Sequence, residues 1–297
     1  MKKSIVKMNA MKFAIPLFVA LAYGPAQGLA QSILGPQLAT FAVLGETSVT
    51  NVPTSTIVGN VGVSAGVSIT GFGTTIPLTA TSDPQVTGGL IHTTTGLAAQ
   101  AQAQLDAAIL TLNNTSLFPS SASLGGNING TYAPGVYDGG AGLLTGALIL
   151  DGSLNGSAPD VWVFRFTSTL TTEESLSSVS VTNVGADAGI YWVVGTDATL
   201  NGPTFAGNVL AQTTIRSNGA LTLGCGRLLS ATADVTLIGD TISAGCFGTL
   251  GSGSGGFDQG NSTAPIPEPE IYAMMAVGLG LLGWVGRRKK LKEAAAA

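Results

Sequence analysis

Gly207-Asn208-Val209-Leu210-Ala211 is followed nineteen residues later by a near copy, Gly226-Arg227-Leu228-Leu229-Ser230. A period of this length is too short for two strands linked by a helix, but it fits one coil of a β-solenoid with three short strands per turn. Apolar residues then point inward and Thr points outward. Three polar rows keep nearly the same step: Thr204, Thr222 and Thr241; Thr213 and Thr232; and Thr199, Arg216 and Thr236.

A weaker copy of the repeat lies upstream, where Trp162–Phe166 parallels Tyr191–Val194. The coil between them carries an apparent insertion around residues 177–188, so we expect an imperfect solenoid. A β-sandwich with regular hairpins is the alternative fold, because the clear repeats number only two or three.

One segment departs from the strand pattern and predicts a single amphipathic helix over about residues 94–113. Its apolar residues recur at spacings of three and four. Thr93 to Thr95 can cap the start of this helix, and Asn113 can end it. The stripe is Leu97, Ala101, Leu105, Ala108, Ile109 and Leu112.

Both termini of the 297-residue chain carry transport signals. A Lys-rich segment, an apolar stretch and Gly28-Leu29-Ala30 predict a signal peptide over residues 1–30. At the other end, Pro267-Glu268-Pro269 precedes the apolar stretch Ile271–Gly286 and the basic pair Arg287-Arg288. This order resembles the PEP-CTERM sorting signal of Gram-negative bacteria, which implies an exosortase-type processing enzyme and release toward the cell surface or exopolysaccharide.

The apolar stretch of this signal is shorter than the about 20 residues of a spanning helix, so we expect transient insertion in the inner membrane. An ordinary carboxy-terminal membrane anchor is the alternative, but it leaves the Pro-Glu-Pro unexplained. We therefore divide the chain into a signal peptide (1–30), a solenoid domain (31–249), a Gly/Ser-rich linker (250–265) and a sorting signal (266–292).

The charge and side-chain inventory excludes several classes of function. Between the two terminal signals the chain has no Lys, three Arg and thirteen acids, so nucleic acid has no basic surface to bind. A single His, His92, leaves few metal ligands or general bases, and we expect no catalytic residue, metal or cofactor. A polysaccharide-acting enzyme would need a cleft lined by Asp138, Asp151 or Asp160.

Cys225 and Cys246 stand twenty-one residues apart, close to one coil. Stacked coils would place their backbones near the strand spacing of about 4.8 Å, which suits a disulfide. Export makes the bond permissible. We predict that it forms, with two unpaired thiols as the alternative.

Landmarks along the chain resemble the microbial ice-binding protein family over about residues 33–245. The resemblance implies a mainly β fold: a discontinuous, right-handed, parallel β-solenoid of triangular cross-section with one long α-helix packed alongside. The landmarks are Gln37–Gly45, Gly59–Ser64, Ile69–Phe72, Gly135–Tyr137, Val163–Phe166, Tyr191–Gly195 and Gly207–Ala211.

The resemblance implies an antifreeze protein, or an inhibitor of ice recrystallisation, that adsorbs to ice through a flat face bearing Thr. Coils repeat at about 4.8 Å and alternate residues of a strand at about 6.6–7 Å, so such a face is a regular lattice. The stiff Thr side chain offers both a methyl and a hydroxyl group. The candidate ice-facing residues are Thr204, Thr222, Thr241, Thr213 and Thr232, because Arg216 interrupts the third row.

One feature departs from the family, whose active members are often associated with a Thr-Ala/Gly-x-Thr/Asn motif. Three near copies, starting at Thr79, Thr145 and Thr232, each fail at the last position. The alternative is ordinary strand Thr on a structural or adhesive matrix protein, whose partner is extracellular polysaccharide rather than ice.

Overall fold

The computed structural model describes residues 33–246, apart from positions 53, 74–78, 156–159, 174–175 and 186–187. The predicted signal peptide, linker and sorting signal lie outside these residues. Within the described part of the chain, no helix has the length and hydropathy needed to cross a membrane.

Short strands make up most of the described fold. One α-helix, α1 (Gly96–Leu112), interrupts them, and two 3₁₀ turns cover Leu38–Thr40 and Gly152–Asn155. The strands in chain order are β1 (Phe41–Gly45), β2 (Ser48–Asn51), β3 (Thr56–Val58), β4 (Asn60–Val63), β5 (Ser68–Thr70), β6 (Ala80–Thr81), β7 (Val86–Thr87), β8 (Ile91–Thr93), β9 (Ala122–Ser123), β10 (Gly130–Tyr132), β11 (Gly135–Gly139), β12 (Gly142–Leu144), β13 (Ala147–Asp151), β14 (Val161–Phe166), β15 (Leu170–Thr172), β16 (Ser178–Thr182), β17 (Gly189–Val194), β18 (Ala198–Leu200), β19 (Thr204–Ala211), β20 (Ile215–Ser217), β21 (Thr222–Ser230), β22 (Asp234–Leu237) and β23 (Thr241–Ser243).

The chain winds into coils that contribute strands to three faces. The helix face has the order β6-β8-β4-β1-β21-β19-β17-β14-β11-β9, in which β6 pairs antiparallel with β8. The seven-strand face has the order β12-β15-β18-β20-β22-β2-β5. The ladder face runs from β10 through β13, β16, β19, β21, β23 and β3 to β7. The long strands β19 and β21 belong to two faces, since they bend from the ladder face onto the helix face.

The coils do not stack in chain order. Strand β1 lies between β4 and β21, so the amino-terminal coils pack on the carboxy-terminal coil. Helix α1 follows β8, which is next to the last strand at one end of the helix face, and precedes β9, at the other end. The expected discontinuous, mainly β solenoid with one helix is confirmed, and the β-sandwich is not formed.

The nineteen-residue repeat corresponds to the register of β19 on β21. Gly207 pairs with Gly226, and the pairing continues residue by residue to Ala211 and Ser230. Only Gly fits at position 226, because an added Cβ would lie 1.9 Å from the Gly207 carbonyl oxygen. The repeat in the sequence therefore predicts the stacking of these two coils correctly.

Helix α1 begins and ends close to the predicted positions. The Thr95 hydroxyl accepts a hydrogen bond from the Ala98 backbone N–H at 3.2 Å and caps the helix, and Asn113 ends it. The stripe packs on outward-pointing side chains of the helix face and forms a second apolar cluster. That cluster includes Ala101, Leu105, Ala108, Tyr191, Leu210 and Leu229.

Aromatic side chains fill the solenoid interior. Phe164 stacks on Trp192 with ring centroids 4.3 Å apart, and Tyr137 stacks on the other side of Phe164 at 5.2 Å. The Trp192 indole N–H donates to the Ala206 carbonyl at 2.9 Å, so its polar atom is satisfied inside the core.

The insertion expected at residues 177–188 differs from the structure. Ser178–Thr182 is the strand β16, which pairs along its whole length with β13. The next strand, β17, begins at Gly189. Strand β16 is difficult to recognise in the sequence, because its outward positions carry the small polar residues Ser and Thr.

Candidate functional site

Thr204, Thr222 and Thr241 form the aligned row that the sequence predicts. They pair in register along the ladder face, and all three side chains are exposed. The structure adds Thr56, which pairs with Thr241 on the next coil. Four adjacent coils therefore present an uncharged Thr ladder, Thr204, Thr222, Thr241 and Thr56.

The Thr ladder is only one row wide. Beside it, the pairing of β19 with β21 is interrupted by a bulge between Phe205 and Gly207. A groove of about 390 Å³ opens there, lined in part by Val179, Phe205 and Cys225. The ladder face is therefore not a continuous lattice.

Thr213 and Thr232 lie at the corner that leads to the seven-strand face. The Thr213 hydroxyl donates to Asp197 Oδ1 at 2.6 Å, and the Thr232 hydroxyl donates to the Gln212 carbonyl at 2.6 Å. Both hydroxyl protons are committed to the protein, so this pair offers less to a ligand than the ladder does.

A longer row crosses the seven-strand face. Thr199, Arg216 and Thr236, recognised in the sequence, are extended by Thr residues that the sequence analysis missed. The missed residues are Thr171 on one side and Thr50 and Thr70 on the other. In spatial order the row is Leu143, Thr171, Thr199, Arg216, Thr236, Thr50 and Thr70.

A second polar row runs beside the first, two residues earlier in the chain on each coil. It consists of Thr169, Asp197, Thr214, Asp234, Ser48 and Ser68. Residues two apart on a strand are separated by about 6.6–7 Å, and neighbouring coils by about 4.8 Å. Together the two rows form a two-dimensional lattice, which we call the two-row face.

Buried apolar residues between the two rows keep the two-row face regular. Leu170, Ala198, Ile215, Val235 and Val49 are fully buried and pair coil to coil without a bulge. The pattern polar-apolar-Thr therefore recurs, as in Ser48-Val49-Thr50 and Ser68-Ile69-Thr70. That triplet was the available signal in the sequence for the missed residues.

Three charged side chains interrupt the centre of the two-row face: Asp197, Arg216 and Asp234. Asp234 Oδ1 accepts a hydrogen bond from the Thr214 hydroxyl at 3.1 Å, and Asp197 Oδ1 accepts from the Thr214 backbone N–H at 3.1 Å. A hollow of about 380 Å³ lies among Asp197, Thr199, Thr214 and Arg216. The centre of this face thus differs from its Thr- and Ser-bearing end around Thr50 and Thr70.

Acidic residues elsewhere hold the fold together. Arg165 lowers the pKa of Asp138 by hydrogen bonding to its carboxylate, with Arg165 Nη2 at 2.8 Å from Asp138 Oδ2. The Asp151 carboxylate accepts from the Asn183 amide, and Asp160 accepts from the Gly185 N–H, each bond anchoring a loop. Burial is the main cause of the raised pKa of Asp240, a buried carboxyl that accepts a hydrogen bond from Ser217.

Cys225 and Cys246 are joined by a disulfide, as predicted, with their Cα atoms 4.3 Å apart. His92 is buried beside Phe41 and 3.3 Å from the Thr95 hydroxyl. Among the described residues, no three His, Cys, Asp or Glu side chains come together as a metal site.

Comparisons by family model, sequence and structure all find similarity to ice-binding proteins. The ice-binding-like family model matches residues 43–243, and the PEP-CTERM protein-sorting motif matches residues 265–290. An ice-binding protein of Nostoc sp. (strain HG1) is 34% identical over 284 residues, covering 94% of this chain and 95% of that protein. The ice-binding protein of Antarctomyces psychrotrophicus, an Antarctic ascomycete, has a TM-score of 0.59 and 31% identity over 70% of this chain and 95% of its own. A glycosylated ice-binding protein of an Arctic yeast has a TM-score of 0.62 and 28% identity over 72% of this chain and 94% of its own.

Proposed function

The chain belongs to the ice-binding-like family, and from that premise we propose that it is an exported protein that binds ice through its two-row face. The observation that carries the choice of face is its lattice of two parallel rows over six coils. A crystal surface repeats in two dimensions, so one row of side chains fixes the protein along one direction only.

Thr suits such a surface for two reasons. Its methyl group orders the adjacent water and its hydroxyl group anchors that water, while β-branching restricts the side chain to few rotamers. On the coils of Thr50 and Thr70, the Thr hydroxyls lie 3.5 Å apart and Ser48 and Ser68 fill the second row. We expect this uncharged end to contribute most of the affinity for ice.

The Thr ladder remains the second candidate surface, as the sequence analysis predicts, with Thr213 and Thr232 at the neighbouring corner. Its four exposed Thr residues carry no interrupting charge, which favours it. The bulge and the groove beside it disfavour it, because they remove the second row.

Mutations on both faces test the choice. We expect Thr50→Tyr or Thr236→Tyr in the exported protein to raise by about tenfold the concentration needed to inhibit recrystallisation. Thr204→Tyr and Thr222→Tyr are the matched controls and should leave that concentration unchanged. The reverse pattern would move the site to the Thr ladder, and a wild-type protein that neither shapes nor restrains ice crystals would refute ice binding.

We also propose the route by which the protein reaches its place of action. The match to the PEP-CTERM motif supports export to the cell surface or beyond, with Arg287 and Arg288 held on the cytoplasmic side during transient membrane insertion. Processing by an exosortase-type enzyme before or near Pro267-Glu268-Pro269 would then release the domain.

A structural role in the matrix is the alternative function. The charged centre of the two-row face, Asp197, Arg216 and Asp234, favours it, because charges retain liquid-like hydration. In that role the protein would bind extracellular polysaccharide. In either role we propose that the protein is not an enzyme and uses no cofactor, which agrees with the structural use of Asp138, Asp151 and Asp160.

A further inference from the structure

The ladder face has a gap where strands β16 and β19 separate. Strand β16 pairs with β13 at five positions, but with β19 only at Ser178 and Thr204 among the described residues. Strand β19 leaves this face after its bulge at Phe205 and turns onto the helix face. The groove of about 390 Å³ lies where a strand that continued along this face would have been.

The lining of this groove is mainly the apolar core itself. Val179, Val181, Phe205 and Ala206 belong to the main core cluster and are at most 6% exposed, yet they border the groove. Atoms that border an unfilled space lose dispersion contacts. An apolar side chain inserted from outside would restore those contacts and close the core.

The disulfide holds an apolar side chain, that of Phe247, close to this groove. Cys225 borders the groove and is bonded to Cys246, with the two Cα atoms 4.3 Å apart. Phe247 is the next residue in the sequence, and consecutive Cα atoms are about 3.8 Å apart. Covalent geometry therefore keeps the Phe247 Cα within about 8 Å of the Cys225 Cα. Because Phe247 is attached so close to the groove, its effective concentration there is high.

We propose that the segment 247–250, Phe-Gly-Thr-Leu, docks on the ladder face with the Phe247 ring in this groove. The segment carries no charge, which suits an apolar lining, and no other aromatic residue follows until Phe257 in the Gly-rich stretch. Docking covers part of Thr204 and Thr222, which line the same groove.

Site-specific photocrosslinking in the full chain tests this placement. A benzoylphenylalanine at position 247 should crosslink to peptides that contain Val179–Val181 or Phe205–Ala206, read by mass spectrometry. The same group at position 257 is the matched control and should not. Crosslinks from position 247 to other surfaces, a crosslinked dimer, or equal yields at the groove from both positions would each overturn the proposal.

Thermal unfolding of the full chain gives a second test with conservative variants. We expect Phe247→Ser to lower the melting temperature by about 3 °C, Phe247→Leu to lower it less, and Phe257→Ser to leave it unchanged. Equal melting temperatures for the three variants and the parent chain would contradict docking. This result is independent of ice binding, so the two proposals fail separately.

Discussion

Arg216 is the residue whose replacement most directly tests the two-row face. It points outward between Thr199 and Thr236, where its charge and length interrupt the Thr row. We expect Arg216→Thr to lower by several-fold the concentration needed for recrystallisation inhibition, because it makes the row continuous from Thr171 to Thr70.

A control for this gain of activity is Gln100→Thr, on the exposed side of α1 away from the two-row face. It should leave inhibition unchanged. Equal or weaker inhibition by Arg216→Thr would contradict the role of the row, and would instead indicate that Arg216 belongs to a polar binding patch.

His92 gives the fold a dependence on pH. Burial lowers the pKa of its imidazole, which contacts Phe41 and Thr95. Below the unfolded-state pKa of about 6.5, the unfolded chain binds a proton at this His that the folded chain does not bind. The free energy of unfolding therefore decreases as the pH is lowered, until the pH is below the pKa of the folded state. We expect the melting temperature to fall between pH 7.5 and 5, and His92→Phe to flatten this slope. An unchanged slope in the variant would assign the effect to other groups.

Arg165 joins helix α1 to the solenoid. Its Nη1 donates to the carbonyls of Leu112 and Phe118 at 3.2 and 3.1 Å, while the rest of the guanidinium binds Asp138. Arg165→Met leaves these acceptors without a partner, so we expect unfolding to require about 3 kcal/mol less, measured by urea denaturation. Arg216→Met, at an exposed Arg, should change stability by less than about 0.5 kcal/mol. Similar losses in both would show that charge, and not these bonds, matters.

At the scale of elements, the packing of β19 on β21 depends on Gly226. A Cβ at this position would meet the Gly207 backbone at 1.9 Å, and backbone cannot rotate away. We expect Gly226→Ala to destabilise the protein by about 3 kcal/mol and to lower its melting temperature. Gly140→Ala is the control, because a Cβ there meets nothing within 4 Å, and it should melt like the parent chain.

Elements with a regular local pattern were predictable from the sequence. Helix α1, its Thr95 cap and the register of β19 on β21 each depend on spacings within one stretch of chain. Strand β16 was not recognised, because its Ser and Thr residues resemble a loop once the repeat becomes irregular. The groove beside β16 could not be predicted from the sequence either, since it depends on where β19 bends from the ladder face onto the helix face.

At the scale of the whole molecule, the stacking order concealed two of the six coils of the two-row face, those of Thr50 and Thr70. Thr50 is next to Thr236 in space but 186 residues away in sequence, so no local period relates them. The hydrogen bonds of the Thr hydroxyls could not be predicted from the sequence either. The bond from the Thr213 hydroxyl to Asp197, for example, depends on how two coils stack. Both rows recognised in the sequence lie on consecutive coils, and the sequence favoured Thr204, Thr222 and Thr241 only because Arg216 interrupts the other row.

The first strand of the domain is completed by its last coil. Strand β1 pairs with β21, and the buried Arg227 guanidinium donates to the Ala39 carbonyl at 2.7 and 3.1 Å. Contacts between residues so distant in sequence form late, since closing a long loop costs entropy before it is rewarded. A chain threaded outward from its amino terminus therefore stays unfinished until nearly all of it has crossed the membrane. The same stacking order that spreads the two-row face along the sequence thus also delays completion of the fold until translocation is nearly finished.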